Sequence, residues 1–138
     1  MRSVAAALLA VLAIPRAAAG EPAQLEVRLG CEPAPGPGRV RCDVTVRAPA
    51  GSVLSWSDAL IVAAPSFARP LRARVRPREP REGAASVEVP LALVATGTGR
   101  GELRVRARAV LCPAAGGGVC RPAAREVAIE LSVGRQAP

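Results

Sequence analysis

The sequence predicts an all-β protein: a two-sheet antiparallel sandwich of immunoglobulin-like size, preceded by a cleaved signal peptide. Three observations carry that expectation. Apolar and polar residues alternate with period two in segment after segment, giving each strand one face for a core and one for water. Fourteen prolines and 13 glycines in 138 residues cluster between those segments, where fixed φ and positive φ make turns. Beyond the first residues, no stretch sustains a helical period.

The leader comes first. Arg2 supplies a positive start, Val4 to Ile14 is an unbroken apolar run, Pro15 breaks it, and Ala17-Ala18-Ala19 offers small residues for a signal peptidase. The run is too short to cross a bilayer as a stable helix. Residues 1–19 are therefore read as a signal peptide, 20–134 as one β-sandwich domain and 135–138 as a loose tail. The protein is expected to be exported, periplasmic or secreted.

The strands follow in order. Odd positions are apolar in Leu25-Glu26-Val27-Arg28-Leu29, and even positions are apolar in Val40 to Arg47. Leu71 to Arg76, Val87 to Leu91, Leu103 to Leu111 and Val127 to Val133 repeat the alternation, with a poorer candidate within Val53 to Val62. Glu32 to Gly38 links the first two strands, Ala48-Pro49-Ala50-Gly51 closes the second, and Thr96 to Gly101 precedes the Leu103 run. Arg76 to Gly83 reads as a charged loop. Trp56 is expected in the core, because a large ring fills inter-sheet space well.

Composition narrows the chemistry. The formal charge is +8, every basic residue is arginine and there is no histidine. The basic excess would suit an anionic lipid, polysaccharide or acidic protein partner, or it is a solvated surface; nothing points to nucleic acid. Arg72, Arg74 and Arg76 form one candidate stripe, and Arg104, Arg106 and Arg108 another. Without histidine, Ser55, Ser57 and Asp58 lack the base that a hydrolase needs. Four cysteines without zinc spacing favour disulfides in an exported chain, with no metal and no cofactor.

The cysteines separate by strand parity. Cys31 shares the phase of Leu25, Val27 and Leu29, and Cys42 that of Val40 and Val44. Both are expected to face the core as a structural disulfide worth roughly 2–3 kcal/mol by loop entropy. Cys112 shares the phase of Arg104, Arg106 and Arg108, and Cys120 that of Glu126 and Glu130. That pair is expected to face outward at the tip of a hairpin. Setting Cys112 opposite Cys120 places Arg106 opposite Glu126 and Glu102 opposite Glu130, with Arg104 diagonal to both acids. An outward disulfide is open to an attacking thiolate, and nearby Arg121 and Arg125 would favour a thiolate there. From these residues alone the pair is either a staple or a redox centre.

Val89-Pro90-Leu91, a glycine turn, Gly101-Glu102-Leu103-Arg104-Val105, Cys112, a short loop, Cys120-Arg121-Pro122 and a closing strand to Val133 resemble one family. It is the N-terminal periplasmic domain of the thiol:disulfide interchange protein DsbD. The resemblance covers Val87 to Val133. It implies an immunoglobulin-like redox domain in which Cys112 and Cys120 relay electrons or a disulfide between thioredoxin-fold or membrane thiol oxidoreductases. Contact with the membrane would then come only through the partner. It also implies an aromatic cap loop over the disulfide, a role that Phe67 would fill. Arg121 stands where the family has an aromatic residue. The alternative is a non-catalytic binding or scaffold module with two structural disulfides and basic strand faces.

Overall fold

The computed structural model describes residues 24–79 and 81–134; the leader and the tail expected from the sequence lie outside them. Eight strands form: β1 (Glu26–Cys31), β2 (Gly38–Arg47), β3 (Ser52–Ala63), β4 (Ala68–Pro70), β5 (Arg74–Val75), β6 (Ser86–Ala95), β7 (Gly99–Pro113) and β8 (Arg121–Val133). They make two four-stranded antiparallel sheets, ordered β1-β2-β6-β4 and β5-β3-β7-β8. This is the immunoglobulin constant-type pairing of strands, with β5 added at one edge.

The alternating residues build the core. Val40, Cys42, Val44 and Val46 of β2, Val87, Val89, Leu91 and Leu93 of β6, and the odd residues of β7 from Leu103 to Leu111 are all buried. Across the sandwich β1 packs on β8, and β3 on β6. Each fully buried leucine contributes about 1.5–3 kcal/mol relative to an exposed one. Aliphatic side chains do this alone: the fully buried layer contains no aromatic ring.

Two segments depart from the sequence expectation. Leu71 to Arg76 is not one strand. The chain pairs with β6 at Ala68–Pro70, leaves the first sheet, and joins β3 only at Arg74–Val75. A segment that changes sheets cannot hold one alternation against one core. The weak candidate at Val53 to Val62 is instead the long β3, between β5 and β7. Its register against β7 shifts between Leu54 and Trp56 and again between Ile61 and Ala63. Each bulge inserts an extra residue and inverts the phase beyond it, which is why the alternation reads poorly.

The first bulge relocates Trp56. Leu54 opposes Leu111 and is buried, whereas Trp56 opposes Val110, on the outer side of β7. Without Ser55 as the extra residue, Trp56 would share the inward phase of Leu54. Trp56 is half-buried on the outer face of the second sheet, not in the core.

Candidate functional site: a surface cystine beside an arginine-ringed tryptophan

The β7–β8 register is the one that follows from setting Cys112 opposite Cys120. Glu102 opposes Glu130, Arg106 opposes Glu126, and Leu111 opposes Arg121. The two cysteines are bonded, with Cα atoms 4.2 Å apart. That separation matches a non-hydrogen-bonded antiparallel pair, where side chains approach most closely. Cys112 is half-buried and Cys120 is exposed.

The hairpin tip is held from two sides. The Ala114 amide donates to the Gly51 carbonyl at 2.9 Å, tying the tip to the β2–β3 turn, and the Gly116 amide donates to Pro113 at 3.2 Å. Gly116 and Gly117 have φ of 72° and 64°, a left-handed pair that glycine adopts at little cost. Val119, next to Cys120, is 89% exposed.

Cys31 and Cys42 also bond, across β1 and β2, with Cα atoms 3.9 Å apart. The Glu32 amide donates to Arg41 at 2.9 Å, so the next pair along is the hydrogen-bonded one. Backbone placement is thus the same for both cystines, and exposure separates them. Cys42 is 1% exposed and Cys31 is half-buried against the core. Neither cystine joins the two sheets, unlike the inter-sheet bridge of antibody domains.

The remaining expected site residues fall elsewhere. Arg121 opposes Leu111 and Arg125 opposes Ala107, residues of the inward phase. Their side chains therefore leave β8 on the face opposite Cys120, and Arg125 Nη1 donates to the Leu25 carbonyl at 3.2 Å. The alternation that turns Cys120 outward turns both arginines away from it. Phe67 lies at the other end of β7, against Gly97 and Gly99, and its carbonyl accepts from the Thr96 amide at 2.8 Å. Gly99 and Cys112 are 13 residues apart on one strand, roughly 40 Å at the rise of extended chain. Phe67 is a packing residue and does not cover the disulfide.

Sequence reasoning missed the neighbour that the outer face does provide. Along that face the cystine is followed by the Val110–Pro122 pair and then by Arg108 with Ala124. On β3, Val53, Trp56 and Asp58 stand opposite Cys112, Val110 and Arg108. The guanidinium carbons of Arg74, Arg76 and Arg108 lie 5.9, 5.3 and 5.6 Å from the Trp56 ring centroid. Beneath them Asp58 is fully buried. It accepts from Arg108 Nε at 2.9 Å and from Arg74 Nε at 2.7 Å. Burial alone would raise the Asp58 pKa; hydrogen bonds and charge from Arg108 and Arg74 outweigh it and hold the carboxyl below its ordinary range. The hydrogen bond to Asp58 raises the Arg108 pKa in turn.

The Arg104, Arg106 and Arg108 stripe is largely neutralised. Arg104 pairs with Glu102, Arg106 with Glu126 at 3.3 Å, and Arg108 with Asp58. Arg104 pairs along its own strand, not diagonally across to β8 as the alternation suggested. Of the Arg72, Arg74 and Arg76 stripe, Arg72 lies apart, in a groove on the other sheet with Arg39, Arg41 and Glu88.

No protein-family model matches this chain, and no characterised protein or solved structure shows significant similarity to it. Fold and site together define an all-β sandwich carrying one buried-side and one surface cystine.

Proposed function

We propose that this domain is an exported thiol–disulfide relay whose working group is the Cys112–Cys120 cystine. The observation that carries the reading is the exposure of Cys120 in the β7–β8 hairpin turn, bonded to a less exposed Cys112. Exchange requires a thiolate to reach one sulfur in line with the bond it breaks, and the exposure of Cys120 supports this reading.

The step is a two-electron transfer. A partner thiolate attacks Cys120 Sγ; a mixed disulfide forms, the Cys112–Cys120 bond breaks, and Cys112 leaves as the thiolate. A second partner thiolate then attacks its own sulfur in the mixed disulfide, and Cys120 leaves. The partner ends as a disulfide, and this chain ends with two thiols after taking two electrons and two protons. Run backwards, the same steps oxidise this chain. No histidine exists in the sequence to serve as a base, so the activated thiolate belongs to the partner, a thioredoxin-fold or membrane-linked oxidoreductase.

Trapping tests this. Mixed with a reduced thioredoxin-fold protein whose resolving cysteine is serine, Cys112→Ser carrying Cys120 as a thionitrobenzoate disulfide is expected to lose thionitrobenzoate and hold a mixed disulfide through Cys120, visible on a non-reducing gel. Cys120→Ser should give far less adduct, because Cys112 is less accessible. A Cys112→Ser chain that forms no adduct, together with a native cystine that resists reduction until the domain unfolds, would overturn the proposal.

A further inference from the structure

The outer face of the second sheet carries a charge arrangement that the relay chemistry does not use. Three guanidinium groups surround one indole within 6 Å, and a single carboxylate, Asp58, is bonded to two of them. Among the described residues, Arg76 reaches ion-pair distance of no carboxylate; Glu82 lines the same shallow groove beside Trp56 without pairing with it. Asp58 offsets one charge of three, and its buried position keeps it from meeting anything that arrives from outside. The Arg76 guanidinium lies within cation–π range of the indole, and its planar fork suits a carboxylate.

Position gives the cluster its meaning. Trp56 stands opposite Val110, two residues along β7 from Cys112, and Cys120 lies one strand further out, beside β8. Two strand spacings across and two residues along separate Trp56 from Cys120 by about 12 Å. An extended peptide whose cysteine meets Cys120 would bring a side chain about four residues away over this distance. Between the two points lie Val110 and Pro122, a small apolar step without competing charge.

We infer that Arg76, beside Trp56, is a recognition site for a carboxylate about four residues from the reacting cysteine of an acidic thiol partner. The inference rests on the relay reading and names the partner's chemistry: an extended segment with Asp or Glu a few residues from its thiol. Arg74 and Arg108, tied to Asp58, add positive potential. An approaching acidic segment gains on-rate from this field, and the gain is screened by salt.

Two capped pentapeptides, Glu-Ala-Ala-Ala-Cys and Gln-Ala-Ala-Ala-Cys, and neutral dithiothreitol make the test. Each reduces the intact protein, with rates compared per thiolate. In wild type at low salt the Glu peptide is expected to react about tenfold faster than the Gln peptide. That preference should shrink to near unity in Arg76→Gln and in high salt, while the dithiothreitol rate holds. Arg39→Gln removes an equal charge from the other sheet and should keep the preference. Equal peptide rates in wild type, or equal losses in both arginine variants, overturn the recognition site while reduction by dithiothreitol leaves the relay standing. If neither the peptides nor dithiothreitol opens the cystine in the folded chain, the relay reading fails and this inference falls with it.

Discussion

Arg108 and Asp58, 50 residues apart in the chain, meet as a directly opposed cross-strand pair under the indole of Trp56. The carboxylate is fully buried although it stands on the outer face of its sheet. The guanidinium groups of Arg108 and Arg74 satisfy it: no buried side-chain polar atom among the described residues lacks a partner. Two residues of the second sheet's exterior thus form a small polar core of their own.

Removing that charge is expected to be costly. Asp58→Ala leaves two guanidinium groups without their acceptor and opens a gap below Trp56. A fully buried pair broken on one side loses about 3–5 kcal/mol. Here the arginine side chains remain 56% and 37% exposed, and water recovers part of the loss, so about 1–3 kcal/mol is expected. The shift in the urea midpoint at constant slope measures it.

The same pair sets a pH dependence. The Asp58 carboxyl titrates below its ordinary value in the folded chain, so the unfolded chain binds the proton more readily. Its stabilising contribution is complete above the unfolded carboxyl pKa of about 3.9 and is lost as pH falls through the lowered folded value. Unfolding free energy measured against pH should therefore fall less steeply in acid for Asp58→Asn than for wild type, the two curves converging below about pH 4.

The two cystines should respond differently to a mild reductant. Their loops, separated by 11 and 8 residues, are of similar length, so loop entropy assigns each roughly 2–3 kcal/mol and does not distinguish them. Exposure does. Native-state reduction followed by alkylation and mass mapping should label Cys112 and Cys120 first. Cys31 and Cys42, with Cys42 buried in the core, should stay oxidised until the domain unfolds.

At the far end of the sandwich Gly101 is required by space. A Cβ there would lie 2.8 and 2.9 Å from the Pro65 ring, and a proline ring cannot rotate aside. Gly101→Ala is expected to cost about 1–3 kcal/mol by overpacking, read from the denaturation midpoint, with the reactivity of the Cys112–Cys120 pair unchanged because the two lie at opposite ends of β7.

Much of the fold was legible because alternation is a physical statement about one buried face. The inward residues of β2, β6 and β7 are the alternating apolar ones, and the pairing of Arg106 with Glu126 follows from the cysteines alone. What could not be read arises where period two is broken or over-trusted. The bulge at Ser55 sends Trp56 outward, and a bulge depends on the partner strand, not on a local motif. The sheet change after Pro70 splits one expected strand in two. Arg121 and Arg125 are near Cys120 in sequence but on the other face, as the alternation itself requires. Sequence nearness misled in both cases, whereas the Arg74–Asp58–Arg108 bridge joins residues far apart in the chain.

The reduction potential of the Cys112–Cys120 pair, measured by equilibrating the folded protein in defined thiol buffers, separates a relay from a staple. A relay must exchange with its partners in both directions, so a value between about −270 and −180 mV, the range of thioredoxin-fold oxidoreductases, is expected. A value below about −300 mV, where structural disulfides lie, would contradict it.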